Sequence, residues 1–457
     1  MVLLIIICAS ACFLLFLFWA ILFIGVGFSA RWVSTLIFAA GRSYNDVVKN
    51  DIDTYHFLFK PFIKATVDKK KRTVTSKALF GTAKRKALYR EGLGSTLIVK
   101  TSADILLKQA EGITLPEGSK APADAPWPEG NSLERNISEN IPPEALSRFI
   151  ENHFRQNNDD PHLKHRSIMV IQGGRIIDYG FAPGYDENTL LPGWSMTKSL
   201  MNALFGILVK EGKISLSDRD LFPEWRKDSR RNISIDDLLR MRSGLKFVEK
   251  YVPLDDVTRM LFASHCAGIM ALNKKQTAEP GKVFNYSSGT SNILSYIIYQ
   301  KVGGSLKEYH RFVRERLFNP IGMTSAFLEP DSSGVYVASS YMMASALDWA
   351  RWAQFYLNSG SWKGEQILPE DWVKESIQPR EPKDPYGRHM WILYPPPGVE
   401  DQKMVSLFER AFAMRGANGQ YITFFPVIDT AVIRLGWTTR HLFDEKGFLR
   451  SFVDILA

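Results

Sequence analysis

The stretch Pro192-Gly193-Trp194-Ser195-Met196-Thr197-Lys198-Ser199 sets a hydroxyl and an amine three residues apart, at the start of a long apolar run. Met196, Leu200, Ala203, Leu204, Ile207 and Leu208 recur at the spacing of one buried helical face. Pro192 and Gly193 signal a turn before it. Ser195 is therefore expected at the N-terminus of a helix, with Lys198 one turn further on the same face. Free backbone N–H groups and the positive end of the helix dipole favour a developing anion there. A buried lysine loses stabilisation of its charged form and can act as a base. This is the serine–lysine form of nucleophilic catalysis.

The tetrapeptide alone is weak. Ser243-Gly244-Leu245-Lys246 matches it too, in a glycine turn with no helix after it. Without context, Ser195 reads equally as a helix N-cap and Lys198 as a solvated lysine.

The context is a chain of 457 residues, 45% hydrophobic and 23% charged, which suits an ordinary globular protein with a large core. Three cysteines, two of them in the apolar N-terminus, allow neither a disulfide framework in the globular part nor a zinc pattern. The net charge of +9 is concentrated in residues 31–100, which hold 15 lysines and arginines against 5 aspartates and glutamates. The rest is close to neutral, so the whole chain does not read as a nucleic-acid binder.

Residues 2–30 contain no charged side chain. That exceeds the roughly 20 residues that span a bilayer, and no basic residue precedes the run as in a signal peptide. Residues 1–30 are read as a retained transmembrane anchor; a cleaved leader ending near Phe28-Ser29-Ala30 is the alternative. Residues 31–135 read as a basic juxtamembrane segment and a Pro-rich linker, the latter over 115–130. Within it, Lys69-Lys70-Lys71-Arg72 and Lys84-Arg85-Lys86 are candidate contacts with lipid headgroups, residues 69–86 in all, against the alternative of a solvated face. Glu91-Gly92-Leu93-Gly94 lacks the third glycine and the surroundings of a nucleotide loop.

The globular domain is assigned to 136–457. Residues 143–156 read as an amphipathic helix, and 167–172 with 175–179 as a hairpin around Gly173-Gly174. Residues 213–330 are mostly helical. Three strands follow at 410–415, 421–426 and 430–435, then a helix over about 441–456. Strands early and late, with helices between, predict an α+β fold: an antiparallel sheet flanked by helices, with a helical subdomain and a preceding transmembrane helix.

Further along, Tyr286-Ser287-Ser288 sits in a polar loop, and Arg415-Gly416-Ala417-Asn418-Gly419-Gln420 opens a strand with glycines that let a ligand approach. With these, the chain resembles the serine beta-lactamase-like, penicillin-recognising hydrolases. Ser195/Lys198 matches the family's S-x-x-K and Tyr286/Ser288 its Y-x-S. Asn232–Leu245, Leu317-Phe-Asn-Pro-Ile-Gly-Met323 and Ile367–Trp372 resemble its linking segments, in the family's order over about 140–440. The third motif departs from K-T-G or H-x-G: Ala417-Asn418-Gly419-Gln420 stands there without a cation. That form is most similar to the aminohexanoate-oligomer hydrolases and related esterases.

The resemblance implies a membrane-anchored hydrolase of a small ester or amide, working through an acyl-enzyme. Ser195 would be the nucleophile, Lys198 its base and Tyr286 a proton relay. Ser288, Asn418, Gly419 and Gln420 would bind substrate or the oxyanion, the latter through the N–H groups of Ser195 and Gln420. No cofactor or metal is implied, and His162 with His165 lacks carboxylate support for one. The alternatives are a non-catalytic or slowly acylating sensor of the same fold, and a D-amino-acid or peptidoglycan peptidase. No G-x-S-x-G elbow surrounds Ser195, which disfavours an α/β-hydrolase. The charge flanking the apolar run would keep the body in the cytoplasm. The family resemblance implies export, and an extracytoplasmic catalytic domain is the expectation carried forward.

Overall fold

Helix α1 runs from Val2 to Phe38, past the end of the uncharged run. The computed structural model describes residues 2–54, 59–113, 125–138, 140–395, 401–439 and 443–456. The first half of α1 is exposed, and from Ala20 to Leu36 nearly every residue is buried. The helix therefore does two things: its N-terminal half stands free, and its C-terminal half is core. A cut after Ala30 would fall inside that core, between two buried residues.

The segment expected as juxtamembrane folds around this buried half. Strands β1 (Lys64–Asp68), β2 (Thr73–Ala78), β3 (Ala83–Arg90) and β4 (Gly94–Leu97) form a four-stranded antiparallel sheet in sequence order. The alternation in Thr73-Val74-Thr75-Ser76-Lys77-Ala78 turns Val74 and Ser76 inward, and the Ser76 hydroxyl bonds that of Ser29 at 3.0 Å. Ser95 bonds Ser34 at 2.8 Å. Arg31, buried in α1, pairs with buried Glu329, which also accepts from Thr35 at 2.6 Å and from the Ser95 backbone at 2.7 Å. Each buried charge is thus compensated and hydrogen-bonded. Of the linker expected over 115–130, residues 114–124 lie outside the described residues.

The main body opens with α2 (Pro143–Arg155) and the hairpin β5 (His165–Gln172) and β6 (Arg175–Phe181). The chain then crosses a helical region containing α3 (Lys198–Lys210), α4 (Ser288–Lys301) and α5 (Ala346–Leu357). It returns through β7 (Trp391–Ile392), β8 (Phe412–Gly416), β9 (Gln420–Phe425) and β10 (Thr430–Gly436), and ends in α6 (Glu445–Val453). Both ends of the chain build one antiparallel sheet, in the order β7-β8-β9-β10-β5-β6. Val432 pairs with Val170 and Ile433 with Met169 across the central seam.

Period-two alternation sorts the sheet's side chains between two cores. Met169, Ile171, Ile433 and Leu435 pack with Trp349 and Trp352 of α5 and the apolar face of α3. Ile168, Val170 and Val432 pack with Phe149 of α2 and Phe448 and Phe452 of α6. The result is a layer of terminal helices, a sheet and a helical subdomain, an α+β beta-lactamase/transpeptidase-like arrangement. It places the start of α3 against the outer end of β8.

Candidate active site

The turn that carries Ser195 is tighter than a helix N-terminus. Residues Trp194–Thr197 form a 3-10 turn, and the α-helix begins at Lys198. Trp194 adopts a left-handed backbone (φ 46°), costly for a bulky residue and held by its surroundings. Its indole is buried against Trp32 of α1 at 4.6 Å between ring centroids and against Trp437 at 5.9 Å. Gly193 anchors the turn through its N–H to the Met342 carbonyl at 2.9 Å. A side chain there would lie 2.4 Å from the Trp349 ring, so only glycine fits. Gly416 has the matching role on β8. A Cβ there would stand 2.2 Å from the Gly193 carbonyl oxygen, so its absence lets the strand reach the Ser195 turn.

Lys198 is buried, and its Nζ lies 2.9 Å from Ser195 Oγ, 2.9 Å from Ser288 Oγ and 3.1 Å from the Ser339 carbonyl oxygen. Three partners match an ammonium's three donors. They equally match a neutral amine that donates twice and accepts the Ser195 proton. Burial pushes the lysine down to about 8, against the opposing attraction of Glu249.

Tyr286 completes the arrangement. Its hydroxyl is near enough to Ser195 to interact with it, and its ring lies 4.8 Å from Lys198 Nζ. Burial, then the Glu249 charge, raises the phenol well above its ordinary value, partly offset by Ser195 and Arg415. The resting tyrosine is therefore neutral. Trp391 stacks on it at 5.2 Å and Tyr386 meets it edge-on at 5.7 Å, fixing the ring plane.

Two charged groups were not anticipated from the sequence. Glu249 accepts from Ser288 Oγ at 2.7 Å and also from the Ser288 N–H. Both its oxygens accept, as a carboxylate's do, and Ser288 links it to Lys198 in one chain of hydrogen bonds. Burial raises the Glu249 pKa, and Lys198 opposes that rise. The second group is Arg415, just ahead of residues 417–420, which themselves carry no cation. It lies on β8 beside Gly416, stacks over Trp391 at 4.8 Å and pairs with Glu445 at 2.5 Å. Its charge is felt at Tyr286.

Ser195, Lys198, Tyr286 and Ser288 are brought together. Asn418, Gly419 and Gln420 have a different place. Asn418 is left-handed (φ 62°), and the Asn418 and Gly419 carbonyls accept from Arg434 at 3.1 and 2.5 Å. The buried Gln420 side chain bonds the Gly436 carbonyl at 2.6 Å and accepts the Gly436 N–H at 3.0 Å. This turn is tied to β10, and the strand meets Ser195 at Gly416 instead. Ser243, of the second S-x-x-K match, accepts from Leu245 N–H in a turn, and Lys246 is exposed. His162 bonds Thr439 and His165 accepts from Arg434. Among the described residues, no cluster of three or more metal-ligating side chains occurs.

A Beta-lactamase family model matches residues 150–442. The 6-aminohexanoate-dimer hydrolase of Paenarthrobacter ureafaciens is 22% identical over 311 residues, 60% of this chain and 74% of that protein. The D-aminopeptidase of Brucella anthropi is 26% identical over 177 residues, 36% of this chain, and the match spans only 33% of that enzyme's length. Among solved structures, a class C beta-lactamase superposes with a TM-score of 0.53 at 15% identity, covering 70% of this chain and 98% of its own. That similarity shows the fold. With its hydrolase relatives, its sheet closed by both chain ends and a helical subdomain over one face, the chain belongs to the beta-lactamase family.

Proposed function

We propose that the protein is a serine hydrolase that cleaves a small ester or amide through an acyl-enzyme. The observation that carries this reading is the buried Lys198 amine, 2.9 Å from Ser195 Oγ and depressed to about 8. A lysine in this state is neutral in a useful fraction of molecules near neutral pH.

In the proposed reaction, neutral Lys198 takes the Ser195 proton as Oγ attacks the carbonyl carbon. The oxyanion lies against the Ser195 N–H and the backbone at Gly416–Ala417, where β8 makes its close approach. This register is preferred to one through Gln420, whose side chain is used within its own turn. The proton passes from Lys198 through Tyr286 to the leaving alcohol or amine. Water then attacks the acyl-enzyme with Lys198 and Tyr286 returning the proton to Ser195. The raised Tyr286 pKa supports a relay that stays protonated at rest rather than a tyrosinate base.

The D-peptidase reading would need a cation for its substrate's carboxylate, and the nearby Arg415 is already paired with Glu445.

Residues 2–38 form one helix long and apolar enough to cross a membrane. We propose that its exposed half is the anchor and that the catalytic domain is extracytoplasmic. Ser195→Ala should abolish fluorophosphonate labelling and p-nitrophenyl acetate hydrolysis, and Lys198→Ala should do the same. Undiminished labelling of either variant would refute the assignment. Hydrolysis of aminohexanoate oligomers over D-peptides, with Arg415→Ala harmless, would decide between the two substrate readings.

A further inference from the structure

The sheet wrapped around α1 has an unusual outer face. Lys64, Lys77 and Lys84 stand side by side across β1, β2 and β3: Lys64 pairs with Lys77, and Lys77 with Lys84. Directly paired residues share a face, so three exposed ammonium groups are neighbours across strands roughly 5 Å apart. Lys86 follows two residues on, on the same face. Among the described residues, none of these four lysines forms an ion pair with a carboxylate, and the acids nearest in β1–β4, Asp68 and Glu91, lie at the other end of the sheet. Like charges set directly opposite destabilise a sheet unless an anion lies over them.

The hairpin tip next to this rung carries a second unrewarded feature. Leu79, Phe80 and Gly81 are all left-handed, and Phe80 is fully exposed. An aromatic residue is thus held in a strained backbone with its ring in water. The tip packs beside Leu22 and Val26 of α1, with Phe18, Trp19 and Phe23 alongside. That is where α1 passes from exposed to buried. Residues 2–19, exposed from Ile5 to Phe16 and half-buried from Leu17 to Trp19, make about 27 Å of helix at 1.5 Å per residue, close to the roughly 30 Å hydrocarbon core of a bilayer. Phe80 and the lysine rung therefore lie at the depth where headgroups would begin. Lys69–Arg72, in the β1–β2 turn, lie at the opposite end of the strands, roughly 16 Å further away at 3.3 Å per residue.

We propose that Lys64, Lys77 and Lys84, with Phe80 inserted beside them, form a docking surface for anionic phospholipid headgroups. The surface seats the catalytic domain against the bilayer and uses Lys84–Lys86 of the basic stretch, not Lys69–Arg72. It rests on α1 residues 2–19 crossing the bilayer. The phosphates lie over the rung and relieve its repulsion, and the lysine stems extend along the apolar tip.

The test reconstitutes the full chain into vesicles of phosphatidylcholine alone or with about 30% phosphatidylglycerol, a strongly anionic surface. Lysine acylation by a water-soluble N-hydroxysuccinimide acetate is read by mass spectrometry. In anionic vesicles, labelling of Lys64, Lys77 and Lys84 should fall about fivefold relative to neutral ones, the factor for about 1 kcal/mol per cation near such a surface. Labelling of Lys69–Lys71 should not change, and K64Q/K77Q/K84Q should erase the lipid dependence of Lys86 labelling. Equal labelling in both vesicles, in a chain that floats with both after carbonate washing, overturns the docking surface and leaves the spanning helix standing. Flotation with anionic vesicles only, reversed by salt, overturns the spanning helix and with it the seating of Phe80 and the lysine rung at headgroup depth. Protection by RNA in detergent, with none from anionic vesicles, overturns the proposal in favour of a nucleic-acid face.

Discussion

Replacing Glu249 with glutamine removes one charge from the hydrogen-bonded chain Lys198–Ser288–Glu249 and keeps its shape. Bonds of 2.9 and 2.7 Å join the three groups, so the ammonium and carboxylate stand about 5 Å apart. At an effective dielectric of about 20, that attraction is about 3 kcal/mol, equivalent to about two pH units. Glu249 acts to raise the Lys198 pKa against burial. Without it, the ammonium is less stable and the lysine loses its proton at lower pH. The base must be neutral to work, so activity rises with pH through its pKa. The acidic limb of kcat/KM against pH, which reports the free enzyme, should lie near pH 8 in the native protein and near pH 6 in Glu249→Gln. The assay is initial-rate hydrolysis of p-nitrophenyl acetate between pH 5 and 9, corrected for the uncatalysed rate. The maximum rate should also fall, because the glutamine amide directs an N–H at Ser288 where an acceptor stood. An unmoved limb, or one displaced upward, would show that Lys198 is not the titrating base or that Glu249 is uncharged.

Other outcomes follow from neighbouring features. Lys198→Met should abolish labelling yet stabilise the fold. The lysine binds fewer protons folded than unfolded between about 8 and 10.5, so its cost, up to about 3 kcal/mol, is complete below pH 8 and disappears above 10.5. Melting temperatures of the two proteins should therefore converge as pH rises over that window. Gly416→Ala puts a methyl 2.2 Å from the Gly193 carbonyl. It should cost about 1–3 kcal/mol in denaturant titration and about 10²-fold or more in kcat as the oxyanion site is displaced. Glu329→Gln leaves Arg31 buried without its counter-charge and should cost about 3–5 kcal/mol. Deleting residues 2–19 should leave a folded, fluorophosphonate-reactive body, whereas deleting 2–38 should not, because Trp32 then leaves the cluster around Trp194.

The parts of the site legible in the sequence were those tied to periodic elements. Ser195 and Lys198 precede a helix whose apolar positions recur in step, and Tyr286 and Ser288 come just before and at the start of another. The β5–β6 hairpin and the three closing strands read as short apolar runs bounded by turn residues, as strands buried on both faces do. Glu249 gave no such signal, since it lies in an irregular loop and meets Ser288 only through tertiary folding. Arg415 was in view, but the strand's register decides whether it or Gly416 faces the Ser195 turn, and one residue reverses the answer. The division of α1 was hidden for another reason. A helix buried on all sides by protein has the same uniform apolar composition as one surrounded by lipid. Only Ser29, Arg31, Ser34 and Thr35, polar residues that a bilayer would not reward, distinguish its buried end.

That division makes the proposed anchor non-modular. In an ordinary tethered enzyme the tether can be exchanged, lengthened or shed without touching the machinery it carries. Here one unbroken helix passes from solvent-exposed apolar surface into the protein until Trp32 touches Trp194, the residue before Ser195. A fusion that swaps residues 1–30 for a generic leader would replace part of the core, not just an address. A change in the tilt of this rod would be transmitted to Trp194 with no linker to absorb it.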